Sequence, residues 1–296
     1  MDFKDNFFNT KGVPKYRDVT LNIRGQLVQL NAPKVMGILN LTPDSFYDGN
    51  QNQNIDRILK NTETMIDQGA AMIDIGAYSS RPGAESVPED VELKRLQQPV
   101  KVIRKTWPEV ILSVDTFRSG VARRMVLDQG VDMINDISGG DMDAQMFQTV
   151  KELQVPYVIM HIRGTPRNMQ QDPVYSDVVQ EVLKSLSDKL FRLNEMGVHD
   201  IIADPGFGFG KTLDHNYTLL SKLDAFLMLN VPLLVGLSRK SMIYNLLGCE
   251  PEHALNGSSA LHVVALLNGA SILRVHDVAE AIEVIKLIDK LKEVQG

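Results

Sequence analysis

The sequence predicts a single (β/α)8 TIM barrel, class α/β, with an N-terminal β-hairpin closing the barrel bottom. Three observations carry that expectation. Eight short aliphatic runs recur along the chain, each ending in a polar group and each followed by helical periodicity. From Asn40 to His276 the seven intervals between run ends average about 34 residues, a natural βα-unit length. No Pro/Ser-rich linker or low-complexity tract divides the 296 residues, so one domain is expected. A length prior of roughly 150 residues per domain also admits two domains, but one α/β barrel of about 250 residues fits as well. Eight unbroken alternations favour closure over an open doubly wound sheet, although the count alone is compatible with both.

Taken in order, VTLNIRGQLVQL (19–30) alternates around Arg24-Gly25 and reads as the hairpin. Residues 1–34 are therefore assigned to an extension with this hairpin, and 35–296 to the barrel. The strand runs are 35–40, 72–77, 111–116, 133–138, 157–161, 201–206, 233–238 and 272–277. Amphipathic stretches between or after them include 55–68, 90–105, 119–129, 178–196 and 278–294. Gly69, Gly130, Gly197 and Gly269 follow four of the predicted helices, where a left-handed cap is wanted.

Composition narrows the function. With 44% hydrophobic and 23% charged residues, wholesale disorder, collagen and a disulfide scaffold are excluded. The net charge of −6 gives no global attraction for nucleic acid or an anionic membrane, so an anionic substrate needs a local cluster of cations. Cys249 stands alone, which rules out an intrachain disulfide and points to a reducing, cytoplasmic compartment. No apolar run approaches the roughly 20 residues that span a bilayer. The start, MDFKDNFFNTKG, lacks the apolar core of a signal peptide.

In such barrels the chemistry sits at the C-terminal strand ends. That rule selects Asn40, Asp74, Asp115, Asn135, His161, Asp204, Ser238 with Lys240, and Arg274 with His276. Each Asp, Asn or Ser has a plainer reading as the N-cap of the next helix. Capping does not need Lys240, Arg274 or His276. Asp115 and Asp204, with the Asn135 amide and the Lys240 ammonium, suit a polar heterocycle bearing adjacent N–H donors, such as a 2-aminopyrimidinone. Arg81, Arg274 and His276 form a cationic group suited to an oxyanion such as pyrophosphate.

Two motifs are decoys. PGFGFGKT (205–212) looks like a P-loop, but Pro205 stands where the first glycine is required. His161 and Arg163 in MHIRGT have no second His or Cys nearby, which favours a structural role over a metal site.

Taken together, eight segments resemble the dihydropteroate synthase family of pterin-binding barrels. They are MGILNLTPDSF (36–46), DIGAYSSRPGAE (74–85), SVDTF (113–117), INDISGG (134–140), MHIRGTPRNMQ (160–170), DPGFGFGK (204–211), GLSRKSM (236–242) and RVHDV (274–278). The resemblance runs from about residue 35 to the end. Two departures stand out. The family commonly reads GGEST where this chain has Gly76-Ala77-Tyr78-Ser79-Ser80, and Lys-Pro where it has Arg118-Ser119.

The resemblance implies a transferase of folate biosynthesis. It would condense 6-hydroxymethyl-7,8-dihydropterin diphosphate with p-aminobenzoate, releasing pyrophosphate and using Mg²⁺. It places Asp115, Asn135, Asp204 and Lys240 on the pterin, with Met160 and Gly236 lining the pocket. Asn40, Arg81, Arg274 and His276 would hold the diphosphate, Asn40 through or beside Mg²⁺. Ser80, Arg81, Pro82, Phe209, Lys240 and Ser241 would frame p-aminobenzoate, where sulfonamides compete. Asp74 is expected to orient its neighbours or cap the next loop. Loops 41–54 and 79–88 are expected to be lids, with Asp44 reaching the metal and Phe46 covering the substrate. A homodimer through the last helices is also implied, with apolar stretches at 261–267 and 282–291; those stretches equally suit packing on the barrel. Two rivals remain: a methyltetrahydrofolate–corrinoid methyltransferase type of barrel, and a non-catalytic pterin-binding protein.

Overall fold

Alternation of side chains along each strand decides which residues face the barrel axis. The computed structural model describes residues 19–41, 51–78 and 87–294. A two-residue turn at Arg24 and Gly25 (φ 52° and 77°) joins the antiparallel pair β1 (Thr20–Ile23) and β2 (Gln26–Gln29). Two consecutive left-handed residues match the right-handed strand twist, and so make a tight hairpin. The barrel follows as β3 (Lys34–Asn40), α1 (Gln51–Asp67), β4 (Met72–Gly76), α2 (Glu89–Thr106), β5 (Ile111–Asp115), α3 (Ser119–Gln129), β6 (Met133–Asp136) and α4 (Met146–Leu153). It continues through β7 (Tyr157–Met160), α5 (Val178–Glu195), β8 (Ile201–Asp204), α6 (Leu213–Ser221), a 3-10 turn at Leu223–Leu229 and β9 (Leu234–Val235). Helices α7 (Ser241–Leu247) and α8 (Leu255–Leu267), strand β10 (Ile272–Val275) and helix α9 (Val278–Glu293) complete it.

Strands β3 to β10 pair in parallel in the order β8-β7-β6-β5-β4-β3-β10-β9. The two ends meet through a bridge between Ala203 and Leu233, with the Ala203 N–H donating to the Pro232 carbonyl at 3.0 Å. The predicted barrel is thus present. Outward residues such as Val35, Ile73, Val114, Ile134 and Leu273 pack against the helices. Inward residues Met36, Met72, Met133, Val158, Ile202, Leu234 and Ile272 form one apolar layer at the lower end. Leu21, Ile23 and Leu30 of the hairpin segment press on that layer and close the bottom. Polar anchors fix the hairpin there: Arg24 pairs with Asp132 at 3.0 Å, and the Asn22 N–H donates to Asp200 Oδ1 at 2.7 Å.

Several boundaries differ from the sequence reading, for physical reasons. Six of the strands stop one or two residues early because their ends leave the ladder to enter turns, whereas β3 ends at Asn40 as expected. The run at 233–238 is strand only at Leu234–Val235, since the chain departs the sheet at Gly236. Helix α8, the helix expected ahead of Gly269, has no polar face, so periodicity does not set its start; α4 and α7 have only eight and seven residues. Gly130, at φ 68°, caps α3 as expected. Among the described residues no helix is long and apolar enough to cross a membrane.

Candidate active site

Following the inward parity upward from the apolar layer reaches polar groups on nearly every strand. The positions are Asn40 on β3, Asp74 on β4, Ser113 and Asp115 on β5, Asn135 on β6, Met160 on β7 and Asp204 on β8, with Gly236 just past β9 and Arg274 on β10. His276 follows two residues later. On most strands the barrel interior therefore changes from methionine and isoleucine to polar or charged side chains within one or two pairs of residues.

Arg274 sits at the centre. Its Nε donates to Asp74 Oδ2 at 2.6 Å, and its Nη2 donates to Asp115 Oδ2 at 2.7 Å. Asn135 Nδ2 donates to the same Asp74 oxygen at 2.8 Å. Arg274, which the sequence places in the cationic group, also bonds Asp115 of the heterocycle-binding set and so links the two groups. The carboxylate–guanidinium pair explains why so much charge tolerates burial.

Two strands away from Arg274, across β9, lies the Gly-rich loop after β8. Asp204 Oδ1 accepts the Gly206 N–H at 2.7 Å, and a Cβ on Gly206 would stand 1.9 Å from the His161 carbonyl oxygen. Glycine at φ 73° is what lets this loop lie against the end of β7. Lys211 does not reach outward as a phosphate-binding lysine would. Its buried Nζ points back, donating to the Gly206 and Phe209 carbonyls at 2.8 and 3.0 Å and to His161 Nδ1 at 3.0 Å. The P-loop resemblance is accordingly a decoy.

His161 is structural too: burial and the neighbouring Lys211 cation push its pKa down to about 2. Among the described residues no group of three or more His, Cys, Asp or Glu side chains is arranged to hold a metal.

Lys240 joins the two sides of the mouth. Its Nζ donates to the Phe207 carbonyl at 2.5 Å and lies 4.8 Å from the centre of the Phe209 ring. A Cβ on Gly236 would meet Lys240 Nζ at 3.7 Å and Arg274 Cβ at 3.9 Å, so this glycine lies between the two cations. Ser238 Oγ accepts the His276 N–H at 3.2 Å and lies 3.2 Å from His276 Nδ1. Arg239, in a left-handed conformation, clamps Asp277 through Nε and Nη2 at 2.8 and 2.6 Å. These contacts tie the loop carrying Lys240 to the loop carrying His276. Sequence reasoning did not identify the Arg239–Asp277 clamp; its only signal is an Arg and an Asp inside two separate motifs.

An apolar wall completes the mouth: Met160, Phe117, Ile137, Ile162 and Met169, with Phe209 and Tyr78 packed on them. Tyr78 meets the Phe117 ring edge-on at 5.1 Å, and the Arg118 guanidinium covers both rings. Arg118 in turn pairs with buried Glu92. Both departures from the family pattern thus fall in one aromatic and ionic cluster, and α3 still begins at Ser119.

Burial dominates the electrostatics. It pushes the Asp115 pKa up to about 7 against the pull of Arg274, with Asp74, Glu92 and Asp136 adding like charge. Burial likewise raises Asp204, opposed mainly by Lys240. It lowers Lys240 to about 8, opposed by Asp204.

Asp115, Asn135, Asp204, Lys240, Met160, Gly236 and Arg274 stand at the upper end of the barrel, with Phe209 and His276 on the adjoining loops and Ser241 opening α7. Asn40 is exposed at the end of β3. Ser80, Arg81, Pro82, Asp44 and Phe46, and most of both expected lids, lie outside the described residues. The first expected lid ends sooner than its sequence bounds, because α1 begins at Gln51.

Comparison with known proteins adds independent findings. Residues 36–276 match the family described as pterin binding enzyme. Dihydropteroate synthase of Escherichia coli (strain K12) is 41% identical over 268 residues, covering 90% of this chain and 94% of that protein. The Haemophilus influenzae dihydropteroate synthase is 40% identical over 269 residues, 90% of this chain and 97% of the relative. The solved Yersinia pestis dihydropteroate synthase with a sulfonamide drug complex superposes with TM-score 0.87 at 39% identity, covering 93% of this chain and 100% of that one. The Xanthomonas albilineans dihydropteroate synthase with 4-aminobenzoic acid gives TM-score 0.86 at 37% identity, over 93% and 99% of the two chains. In barrel, polar mouth and sequence alike, the chain belongs to the dihydropteroate synthase family of pterin-binding transferases.

Proposed function

We propose that this chain condenses 6-hydroxymethyl-7,8-dihydropterin diphosphate with p-aminobenzoate, giving 7,8-dihydropteroate and pyrophosphate. The observation that carries the reading is the gathering of Asp115 and Asp204 with Lys240 and Arg274 at one rim, within reach of a single small molecule. Asp204 and Asn135 are assigned to the donor and acceptor edge of the pterin. Arg274 and His276, with Arg81, are assigned to the diphosphate. Phe209, Lys240 and Ser241, with Ser80 and Pro82, frame p-aminobenzoate.

The chemistry asks for charge stabilisation at both ends of a breaking bond. As the C–O bond to the diphosphate lengthens, its electron pair leaves with pyrophosphate and positive charge spreads over the electron-rich dihydropterin. Arg274 and His276 face the departing anion; Asp115 and Asp204 face the cation. Preorganised groups of this kind in a dry site are each worth about 2–4 kcal/mol of barrier. The amine of p-aminobenzoate, neutral at pH 7, then attacks the CH₂ carbon and loses a proton, so no side chain need activate it beforehand.

The donor set fits Mg²⁺ as an auxiliary. The exposed Asn40 side chain offers one hard oxygen at the mouth, and Mg²⁺ commonly takes few protein ligands, filling its shell with water and substrate phosphate. Asp44 is a second candidate ligand. When bound, the ion supplies neutralisation of the diphosphate charge.

A coupled assay of pyrophosphate release tests the reading. Release is expected with p-aminobenzoate present, with 7,8-dihydropteroate formed in equal amount, and is expected to stop in EDTA. Pterin binding without release would return the chain to the non-catalytic alternative. Full activity in EDTA would remove the metal from the scheme.

The same charges set a pH dependence. Asp115 must be ionised to face a cation, so kcat/KM is expected to rise as pH passes about 7. Lys240 must be protonated, so kcat/KM is expected to fall above about 8. A narrow bell is the predicted profile, and a rate flat from pH 5 to 10 would contradict it. Sulfonamides are proposed as competitors for the aminobenzoate subsite. Exposed Leu287 and Leu291 on α9 support a proposal that a second copy of the chain packs there.

A further inference from the structure

Asp74 is fully buried in the barrel, yet it is bonded to two residues that line the mouth. The geometry points to Asp74 as a positioning residue that sets the direction of the Asn135 amide and the free edge of the Arg274 guanidinium. This inference rests on the assignment of the pterin to Asn135 and of the diphosphate to Arg274.

Three observations support it. First, one oxygen, Oδ2, accepts from both Asn135 Nδ2 at 2.8 Å and Arg274 Nε at 2.6 Å. A carboxylate oxygen only accepts, so the Asn135 amide must turn its nitrogen inward. Its Oδ1 then becomes the end presented to a ligand, and an N–H donor of the pterin is the group it would meet. Second, a guanidinium has two bidentate edges. Asp74 on Nε and Asp115 on Nη2 occupy the side edge, leaving the Nη1/Nη2 end for an oxyanion. Third, Asp74 Oδ1 is buried with no hydrogen-bond partner. A buried carboxylate with an orphaned oxygen is a poor device for stability, since well-packed apolar side chains often serve as well. Its place there is better explained by what it does to its two partners.

Asp74 touches neither substrate in this arrangement, being wholly enclosed, so it acts only through Asn135 and Arg274. It connects β4 to β6 and β10, and through Arg274 reaches Asp115 on β5. One carboxylate thus aligns groups from three other strands.

The test is a substitution cycle read by steady-state kinetics and by titration of 6-hydroxymethyl-7,8-dihydropterin. Asp74→Asn keeps the shape but removes the enforced amide direction. It is expected to raise KM for the pterin diphosphate about tenfold or more, while KM for p-aminobenzoate stays within about twofold. Asn135→Asp alone opposes two carboxylates and is expected to weaken binding at least as much. Combining Asp74→Asn with Asn135→Asp restores a donor–acceptor pair. The amide at 74 donates to the carboxylate at 135 and still accepts from Arg274, while the second carboxylate oxygen faces the pterin. The combined variant is therefore expected to recover most of the lost dihydropterin affinity.

Strictly additive losses in the combined variant would overturn the inference. So would equal rises in both KM values accompanied by a lowered Tm, or failure of the single and combined variants alike to fold, since each assigns Asp74 to stability alone. The wild-type assay keeps the two readings apart. Without pyrophosphate release there, the proposed reaction fails; with release there and no rescue in the combined variant, only the role of Asp74 fails.

Discussion

Asp204→Asn is expected to cost about 100-fold in affinity for the pterin, the largest loss of binding at any single position. Oδ1 of Asp204 is committed to the Gly206 N–H at 2.7 Å, which leaves Oδ2 for the ligand. An amide has one acceptor and one donor end. Keeping the Gly206 bond turns its NH₂ toward the N–H edge of the pterin, and flipping it sets that NH₂ against the Gly206 N–H. Either way a charge-assisted bond is replaced by donor facing donor, a loss of about 3 kcal/mol, or roughly 100-fold. Calorimetric titration with 6-hydroxymethyl-7,8-dihydropterin measures it directly, and unchanged affinity would remove Asp204 from the pterin site.

Stability should move differently. Burial raises the Asp204 pKa, so the folded state holds its proton to higher pH than the unfolded chain does. The carboxylate's contribution is therefore present at low pH and lost as pH rises from the unfolded value near 3.8 through the raised folded one. At neutral pH the variant is expected to melt no earlier than the wild type. Loss of binding without loss of Tm separates a ligand contact from a folding defect.

Much of this arrangement is legible in the sequence because a barrel strand has only two faces. Asn40, Asp74, Asp115, Asn135, Asp204 and Arg274 stand on the parity that begins with Met36, Met72, Ile111, Met133, Ile202 and Ile272, and parity alone sends them inward. The same rule explains the residue that proves structural. His161 stands one position past inward-facing Met160, and its ring turns to Lys211. Position at a strand end was a coarser guide than parity, since it admitted both.

What sequence does not carry is pairing across strands. The register Asp115 opposite Asn135, and the distance of 200 residues between Asp74 and Arg274, are set by barrel closure. No local pattern encodes either. The contact between the acids and the cations is hidden for the same reason: residue type points to a cationic group, and only proximity shows that Arg274 also holds two carboxylates. The inward turn of Lys211 was hidden similarly, because a glycine-rich loop ending in lysine reads alike whether its lysine faces a phosphate or its own carbonyls.

Lys240→Ala is the substitution expected to damage the most steps together. The ammonium is shared: it donates to the Phe207 carbonyl at 2.5 Å, caps the Phe209 ring at 4.8 Å and is drawn electrostatically to Asp204 and Asp115. Removing it leaves the buried Asp204 charge without its main counter-ion and takes the cation from the face of the ring beside p-aminobenzoate. Both KM values are expected to rise about tenfold or more and kcat to fall, since a lost charge partner in a dry site costs about 2–5 kcal/mol in total. The alkaline limb of the pH profile should vanish with the group that titrates near 8. Arginine is not expected to rescue it. A guanidinium is bulkier than an ammonium and holds its donors in a fixed planar fork, whereas Lys240 presents a single compact charge to the Phe207 carbonyl and the Phe209 ring. Should only the p-aminobenzoate KM respond, Lys240 belongs to one subsite, and the charge balance across the mouth must be carried by Arg274 alone.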